Sequence, residues 1–335
     1  MRLIYYTSFL LIFSIQFISC NTDSPVDPDT DGSNYYNWTV TPVSMDSVYR
    51  ISAANDDVAF IGGNSSYKIS GSTVTRIDFQ DTAFKCGGVE AFDKNSAVFW
   101  GGTSATTSEF KFKLYDTGAL TTYTFSNAYP YTKLTFISKN KFYYASYDNF
   151  YLFDNGTLTG SALPPSESPI GFGKAGGSTY LFTSFNSSSF YQDRAYRIVG
   201  NTLLLVSSVA PQGRIHFLNN DIVRVTQDST NHLLDYFNGS DWINFFSFTT
   251  PANTYYIQYL AGDTRNQFLW IWFDYNAKAY ASVFSVNAKI EQTNFPTSAI
   301  TVSIPAVRTV SNYADNTYYI IDKYHPTKFV KGKLK

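Results

Sequence analysis

The sequence predicts an all-β fold, a closed ring of seven four-stranded blades, and three observations predict it. First, one phrase recurs seven times at intervals of about 40 residues: a polar turn containing Asn, Asp or Gly, then an apolar, aromatic strand. The turns are Asn55-Asp56, Asn95, Asn140, Gly176-Gly177, Asn219-Asn220, Asn266 and Asn316. The strands behind them read VAFIGG (58–63), AVFWGG (97–102), KFYYAS (141–146), STYLFTSF (178–185), DIVRVTQ (221–227), QFLWIWFD (267–274) and TYYIID (317–322). A period of about 40–45 residues made only of strands is that of a β-propeller blade. Second, tight hairpins recur in phase with the first signal, at Ser70-Gly71-Ser72, Asp116-Thr117-Gly118, Asp154-Asn155-Gly156, Gly200-Asn201 and Asn238-Gly239-Ser240. Gly and Asn tolerate the positive φ that such turns demand. Third, 18% of the 335 residues are aromatic, with 27 Tyr and 29 Phe, and only 15% are charged. That excess favours strands over helices.

The elements follow in chain order. Arg2 precedes a mostly apolar run, Leu3 to Ile18, that ends in Phe17-Ile18-Ser19-Cys20. This is the layout of a signal peptide over residues 1–19. Residues 20–34 are rich in Asp, Pro, Ser and Gly, with no apolar periodicity, and read as a flexible acidic tether. Residues 35–335 are the propeller domain. Blade one reads VYRIS (48–52), VAFIGG, SYKIS (66–70) and TVTRIDF (73–79). Blade two begins at GVEAF (88–92) and blade three at KLTFIS (133–138). Blades four, five and six span about 169–209, 214–248 and 256–295. Blade seven supplies only AVRTV (306–310), TYYIID and TKFVKGK (327–333). Residues 37–43 alternate polar and apolar as the other outer strands do, and are expected to complete it and close the ring. Pro42 is tolerable there because an outermost strand has one unpaired side.

Two resemblances add to this reading. Ile18-Ser19-Cys20 resembles the lipobox of bacterial lipoproteins. The resemblance implies cleavage before Cys20, acylation of its thiol, and a lipid tether to a membrane outside the cytoplasm. Asn21 stands where Asp would retain the protein at the inner membrane, so the outer membrane is expected, on its periplasmic or cell-surface face. Asp235-Tyr236-Phe237-Asn238-Gly239-Ser240-Asp241-Trp242 resembles the turn of two-component-regulator and BNR-like propeller repeats, which implies a seven-bladed extracellular propeller.

Other motifs have plainer readings. Asp27, Asp29 and Asp31 followed by Gly32 match the start of a calcium loop, but Trp38 occupies the position of its closing Glu, so a solvated spacer is favoured and no metal site is expected. Gly171, Gly173 and Gly176 fit GxGxxG, yet a strand follows where a dinucleotide site needs a helix. Cys86 reads as a small buried hydrophobe and His216 as a structural inner-strand histidine. With Cys20 lipidated, no second thiol is left for a disulfide.

Loops between second and third strands all open on one face of a propeller. Tyr147, Asp148, Tyr191, Arg194, Asp228, His232, Tyr275 and His325 are placed there and form the candidate ligand cluster, with aromatics to stack on sugars and charges to bond hydroxyls. The net charge of −1 offers no field for nucleic acid. No cofactor motif and no catalytic residue is assigned. The expected function is a non-enzymatic binding or scaffolding module for protein or glycan. The alternative is a carbohydrate-active or other hydrolytic enzyme, which would need two facing carboxylates.

Overall fold

The computed structural model describes residues 36–103, 109–126, 133–186, 191–209, 213–228, 231–249, 259–274, 278–285, 288–299, 308–313, 317–322 and 326–335. The leader, Cys20 and the tether with Asp27, Asp29 and Asp31 lie outside the described residues.

The described residues form seven four-stranded antiparallel sheets. Blade one is Val48–Ala53, Val58–Gly63, Ser66–Ser70 and Thr73–Ile77; blade two is Lys85–Asp93, Ser96–Gly102, Glu109–Asp116 and Ala119–Ser126. Blade three is Lys133–Ser138, Lys141–Ser146, Asn149–Asp154 and Thr157–Ala162; blade four is Glu167–Ala175, Ser178–Asn186, Tyr191–Val199 and Thr202–Val209. Blade five is Arg214–Phe217, Ile222–Asp228, Asn231–Phe237 and Trp242–Thr249; blade six is Tyr259–Thr264, Gln267–Phe273, Ala279–Ser285 and Ala288–Glu291. Blade seven takes Arg308–Tyr313, Thr317–Asp322 and Lys328–Leu334 from the C-terminus and Tyr36–Pro42 from the N-terminus. The expected seven-bladed architecture is therefore the observed one.

Side-chain alternation explains the ring. Successive residues of a strand point to opposite faces of its sheet. In blade seven, Tyr318 and Ile320 enter a core cluster with blade six, while Tyr319 and Ile321 enter one with blade one. Phe142 and Tyr144 of blade three join blade two, whereas Tyr143 and Ala145 join blade four. Each neighbouring pair of blades shares one such cluster, all the way round. A sheet covered on both faces needs an unbroken apolar run. VAFIGG, SAVFWGG and TYYIID are buried along their whole length.

The two chain ends fasten the ring. Tyr36 pairs with Leu334, Val40 with Val330 and Pro42 with Lys328. The closing strand starts one residue earlier than expected, because Tyr36 is fully buried between the rings of Tyr318 (5.3 Å) and Trp38 (5.5 Å). Trp38 packs edge-on against Phe295 at 5.0 Å, and its ring occupies the space a Cβ on Gly332 would need. Pro42 holds the last position of the ladder, where its missing N–H costs no bond, and Val43 N donates to Thr327 O at 2.8 Å. Lys333 and Lys331 of blade seven pair with Asp56 and Asp57 of blade one.

The motifs set aside take structural roles. Gly171 and Gly173 lie on the innermost strand of blade four, backed by Phe217 and Ile222 of blade five, and Gly176-Gly177 is the turn that follows. Cys86 is buried, its thiol donates to Gly88 O at 3.1 Å, and burial pushes it up to about 11. Trp242 packs against Phe182 and Phe237 at the blade four–five boundary, under the Arg224 guanidinium.

Candidate functional site

In a meander of four strands, first-to-second turns and third-to-fourth hairpins share one face of the ring. Second-to-third loops share the other. On that loop face the structure places the expected cluster unevenly. Tyr147 and Asp148 form the two-residue turn between the second and third strands of blade three, with Tyr147 at φ 41° and half exposed. Tyr191 is also half exposed, at the start of the third strand of blade four. Asp228 ends the second strand of blade five; its side chain, like Tyr275 and His325 entirely, lies outside the described residues.

Two further residues of the expected cluster lie inside strands, with their side chains engaged by neighbours. His232 is the second residue of the third strand of blade five and has no exposed surface. Its ring stacks on Phe248 at 4.9 Å and meets Trp270 edge-on at 5.7 Å. Burial, helped by Lys289, pushes its pKa down to about 4, so it is held neutral. Arg194 lies within the third strand of blade four, and its Nη1 donates to Glu167 Oε1 at 2.6 Å. The buried Glu167 carboxylate also accepts from Tyr196 OH and from Thr183 Oγ1, each at 2.6 Å. Arg194 is covered on one side by the Phe185 ring at 3.8 Å. The rim placement of both residues is thus corrected: each charge or ring nitrogen was assigned to a loop that the strand overran.

The cavity of the ring lies at the opposite end. It holds about 510 Å³, within the range of small-ligand sites. Its walls come from the innermost strands of blades one to six, in blades one, two, four and five from their later parts, with Trp100 of blade two and the turn of blade five. Blade one contributes Arg50 and Ser52, blade two Glu90 and Phe92, and blade three Thr135 and Phe136. Blade four contributes Lys174, blade five Phe217, Asn219 and Asn220, and blade six Asp263. The cavity therefore opens toward the first-to-second turns, away from Tyr147 and Tyr191.

Its charges are arranged around the ring and not clustered. Arg50 Nη2 approaches Glu90 Oε2 at 3.5 Å, with side-chain exposures of 50% and 34%. The guanidinium also lies 5.4 Å from the centre of the Trp100 ring. Although part of Glu90 reaches channel water, desolvation inside the ring raises its carboxyl above the ordinary range, against the opposing pull of Arg50 and Lys174. Asp263 is engaged by its neighbour: Asn220 Nδ2 donates to Oδ1 at 2.7 Å, and Asn220 N donates to Asp263 O at 2.8 Å. The Lys174 ammonium has no hydrogen-bond or ion-pair partner among the described residues, and its charge acts on Glu90.

Sequence reasoning missed these four charged residues. A signal was present: each is a single charge within a short apolar or small-residue stretch of an innermost strand, as in VYRIS, GVEAF, GFGKA and LAGDT. Among the described residues no group of three or more His, Cys, Asp and Glu could hold a metal ion.

Solved structures share the architecture. The chain matches YCF48 bound to D1 peptide with a TM-score of 0.61 at 10% identity, over 90% of this chain and 99% of that one. It matches the β-propeller domain of Myceliophteria thermophila Cps50 (Swd1) with a TM-score of 0.60 at 8% identity, over 90% and 100%. The uncharacterized protein lmo1340 of Listeria monocytogenes EGD-e matches with a TM-score of 0.54 at 15% identity, over 87% and 96%. At these identities the likeness is one of fold alone. In sequence, neither a protein-family model nor a curated protein matches the chain.

Proposed function

We propose that the chain is an envelope lipoprotein whose propeller works as a non-enzymatic binding module, holding a small ligand or a segment of a partner at the cavity end of the channel. The observation that carries this reading is the cavity itself. Six blades converge on one cavity, and four of them bring a charged side chain into it. A ring fastened by an antiparallel seam is a rigid frame, so the backbone that carries these groups is fixed before a ligand arrives, which lowers the entropic cost of binding. A structure of the same fold, YCF48, holds a D1 peptide, which supports a protein segment as one class of occupant. The lipobox-like Ile18-Ser19-Cys20 and the acidic spacer support anchoring at the outer membrane.

The test is capture from envelope extract and on a glycan array, run with the wild-type chain and with Arg50→Glu. A specific protein or glycan captured by the wild type and lost with the folded variant supports the reading. Absence of any specific capture on both platforms overturns it. Anchoring is tested separately by fractionation: Cys20→Ala should move the protein from the membrane to the soluble fraction and abolish acyl labelling.

One observation favours a hydrolytic reading. Glu90 and Asp263 line the same cavity, and burial raises Glu90 as it would a general acid. Against it, Glu90 faces Arg50 and Asp263 is occupied by Asn220. Turnover of a glycoside by the wild type, lost in Glu90→Gln, would replace the binding reading with this one.

A further inference from the structure

We infer that the channel cavity is a site for a monoanionic carboxylate ligand, held by Lys174 and Arg50, whose binding brings a proton onto Glu90. The inference rests on the binding reading above and names its ligand chemistry.

The geometry sets the charge of the ligand. The charged residues lining the cavity are Arg50 from blade one, Glu90 from blade two, Lys174 from blade four and Asp263 from blade six; blades three and five supply only uncharged groups there, and no described residue of blade seven lines it. Two cations and two carboxylates cancel when all are ionised. Asp263 is already engaged by Asn220 and stays out of the exchange. Glu90 is the loose member. Its single contact with Arg50 is long, at 3.5 Å, against the 2.7–2.9 Å of a well-formed charge-assisted bond. Arg50 is half exposed and so keeps most of its donors for another acceptor. Lys174 contributes three more donors that no described residue uses. An arriving carboxylate takes Lys174 and the free edge of the guanidinium. Glu90 then faces a second carboxylate in the cavity, and a like charge so placed disfavours its ionised form. A proton on Glu90 removes the conflict and turns it into a donor toward the ligand. The cavity is then neutral with one negative charge aboard. A dianion such as hydrogen phosphate would leave it with an excess, so a carboxylate is preferred.

The walls set the body of the ligand. Phe92, Phe136 and Phe217 are only partly buried and reach the cavity from blades two, three and five. They offer an apolar surface beside the cations. The matching ligand is a carboxylic acid with an aryl or alkyl body.

The test uses benzoate as the probe, benzamide as its neutral isostere and inorganic sulfate as the dianion, titrated into the full chain by calorimetry between pH 8 and 6. Benzoate is expected to bind at least about tenfold more tightly than either control. Its affinity should rise as pH falls, by up to about tenfold per unit while Glu90 is ionised in the free protein. Calorimetry in buffers of different ionisation enthalpy should report uptake of up to one proton. Glu90→Gln should bind benzoate with no pH dependence. Lys174→Met should lose about tenfold or more, and Lys174→Arg should restore it while thermal melting shows all three variants folded. Equal binding of benzoate and benzamide, an affinity that rises with pH, or an unaffected Lys174→Met each overturns the assignment. A glycan or protein captured by the wild type, with no benzoate binding, would leave the broader binding reading standing and remove this one.

Discussion

At the scale of residues, polar groups that the ring buries govern the sharpest effects. Glu167 has no exposed side-chain surface and depends on Arg194, Tyr196 and Thr183. Removing one partner of a buried pair leaves an uncompensated charge. Arg194→Met is therefore expected to cost about 3–5 kcal/mol, read from the urea midpoint, whereas the double change with Glu167→Gln should recover part of that loss. Trp270 is 1% exposed among Phe248, Trp272 and Phe284, so Trp270→Ala should cost about 3–5 kcal/mol by the same measurement. The histidines give the pH dependence. Burial, with Arg214, pushes His216 down to about 3, and burial, with Lys289, pushes His232 down to about 4, from an ordinary 6.5. In that interval the unfolded chain binds more protons than the folded one. Stability is full above about 6.5 and falls with decreasing pH, over the window down to about 4 for His232 and about 3 for His216. Each histidine adds a slope of up to about 1.4 kcal/mol per pH unit. Urea midpoints measured from pH 7.5 to 4.5 should show this, and His232→Phe should flatten the curve.

At the scale of elements, the hairpins carry the information. Thr117 and Gly118, and Asn155 and Gly156, all have positive φ at the same point of their blades. Asn155 tolerates its 47°, but Gly156 sits at 89°. Gly156→Ala is expected to lose about 1–2 kcal/mol through backbone strain alone, since an added Cβ meets nothing closer than 3.5 Å. A crystal structure of that variant should show the blade unchanged. These turns were legible beforehand because their chemistry is local. Residues two apart decide the conformation, and no distant partner is needed. The third strand of blade five was harder to read. A sheet buried on both faces has no polar face to mark its end, so Asn231-His232 reads as loop while the strand runs through it.

At the scale of the whole molecule, the seam between Tyr36–Pro42 and Lys328–Leu334 makes seven separable sheets into one body. Each blade shares a core cluster with the blade on either side, so opening the seam exposes the Tyr36 and Trp38 contacts and frees an edge of blade seven. Deleting residues 36–42 should lower the melting temperature, replace one transition by two or more, and raise hydrogen exchange first in Lys328–Leu334. A single sharp transition at the wild-type temperature would show that the ring does not depend on its fastening.

The sequence by itself determined the period, the phase of the turns, the number of blades and the strand that closes the last one. All of these rest on local turn geometry and on strand periodicity, which neighbouring residues set among themselves. Only the tertiary structure decided where the cavity lies and which charges line it. Arg50, Glu90, Lys174 and Asp263 come from four different blades, and nothing local tells one inner-strand charge that three others face the same water. Burial of Arg194 and His232 was decided there too, because the ring packs against both sides of every sheet and the partners that accept a buried polar group lie on other strands.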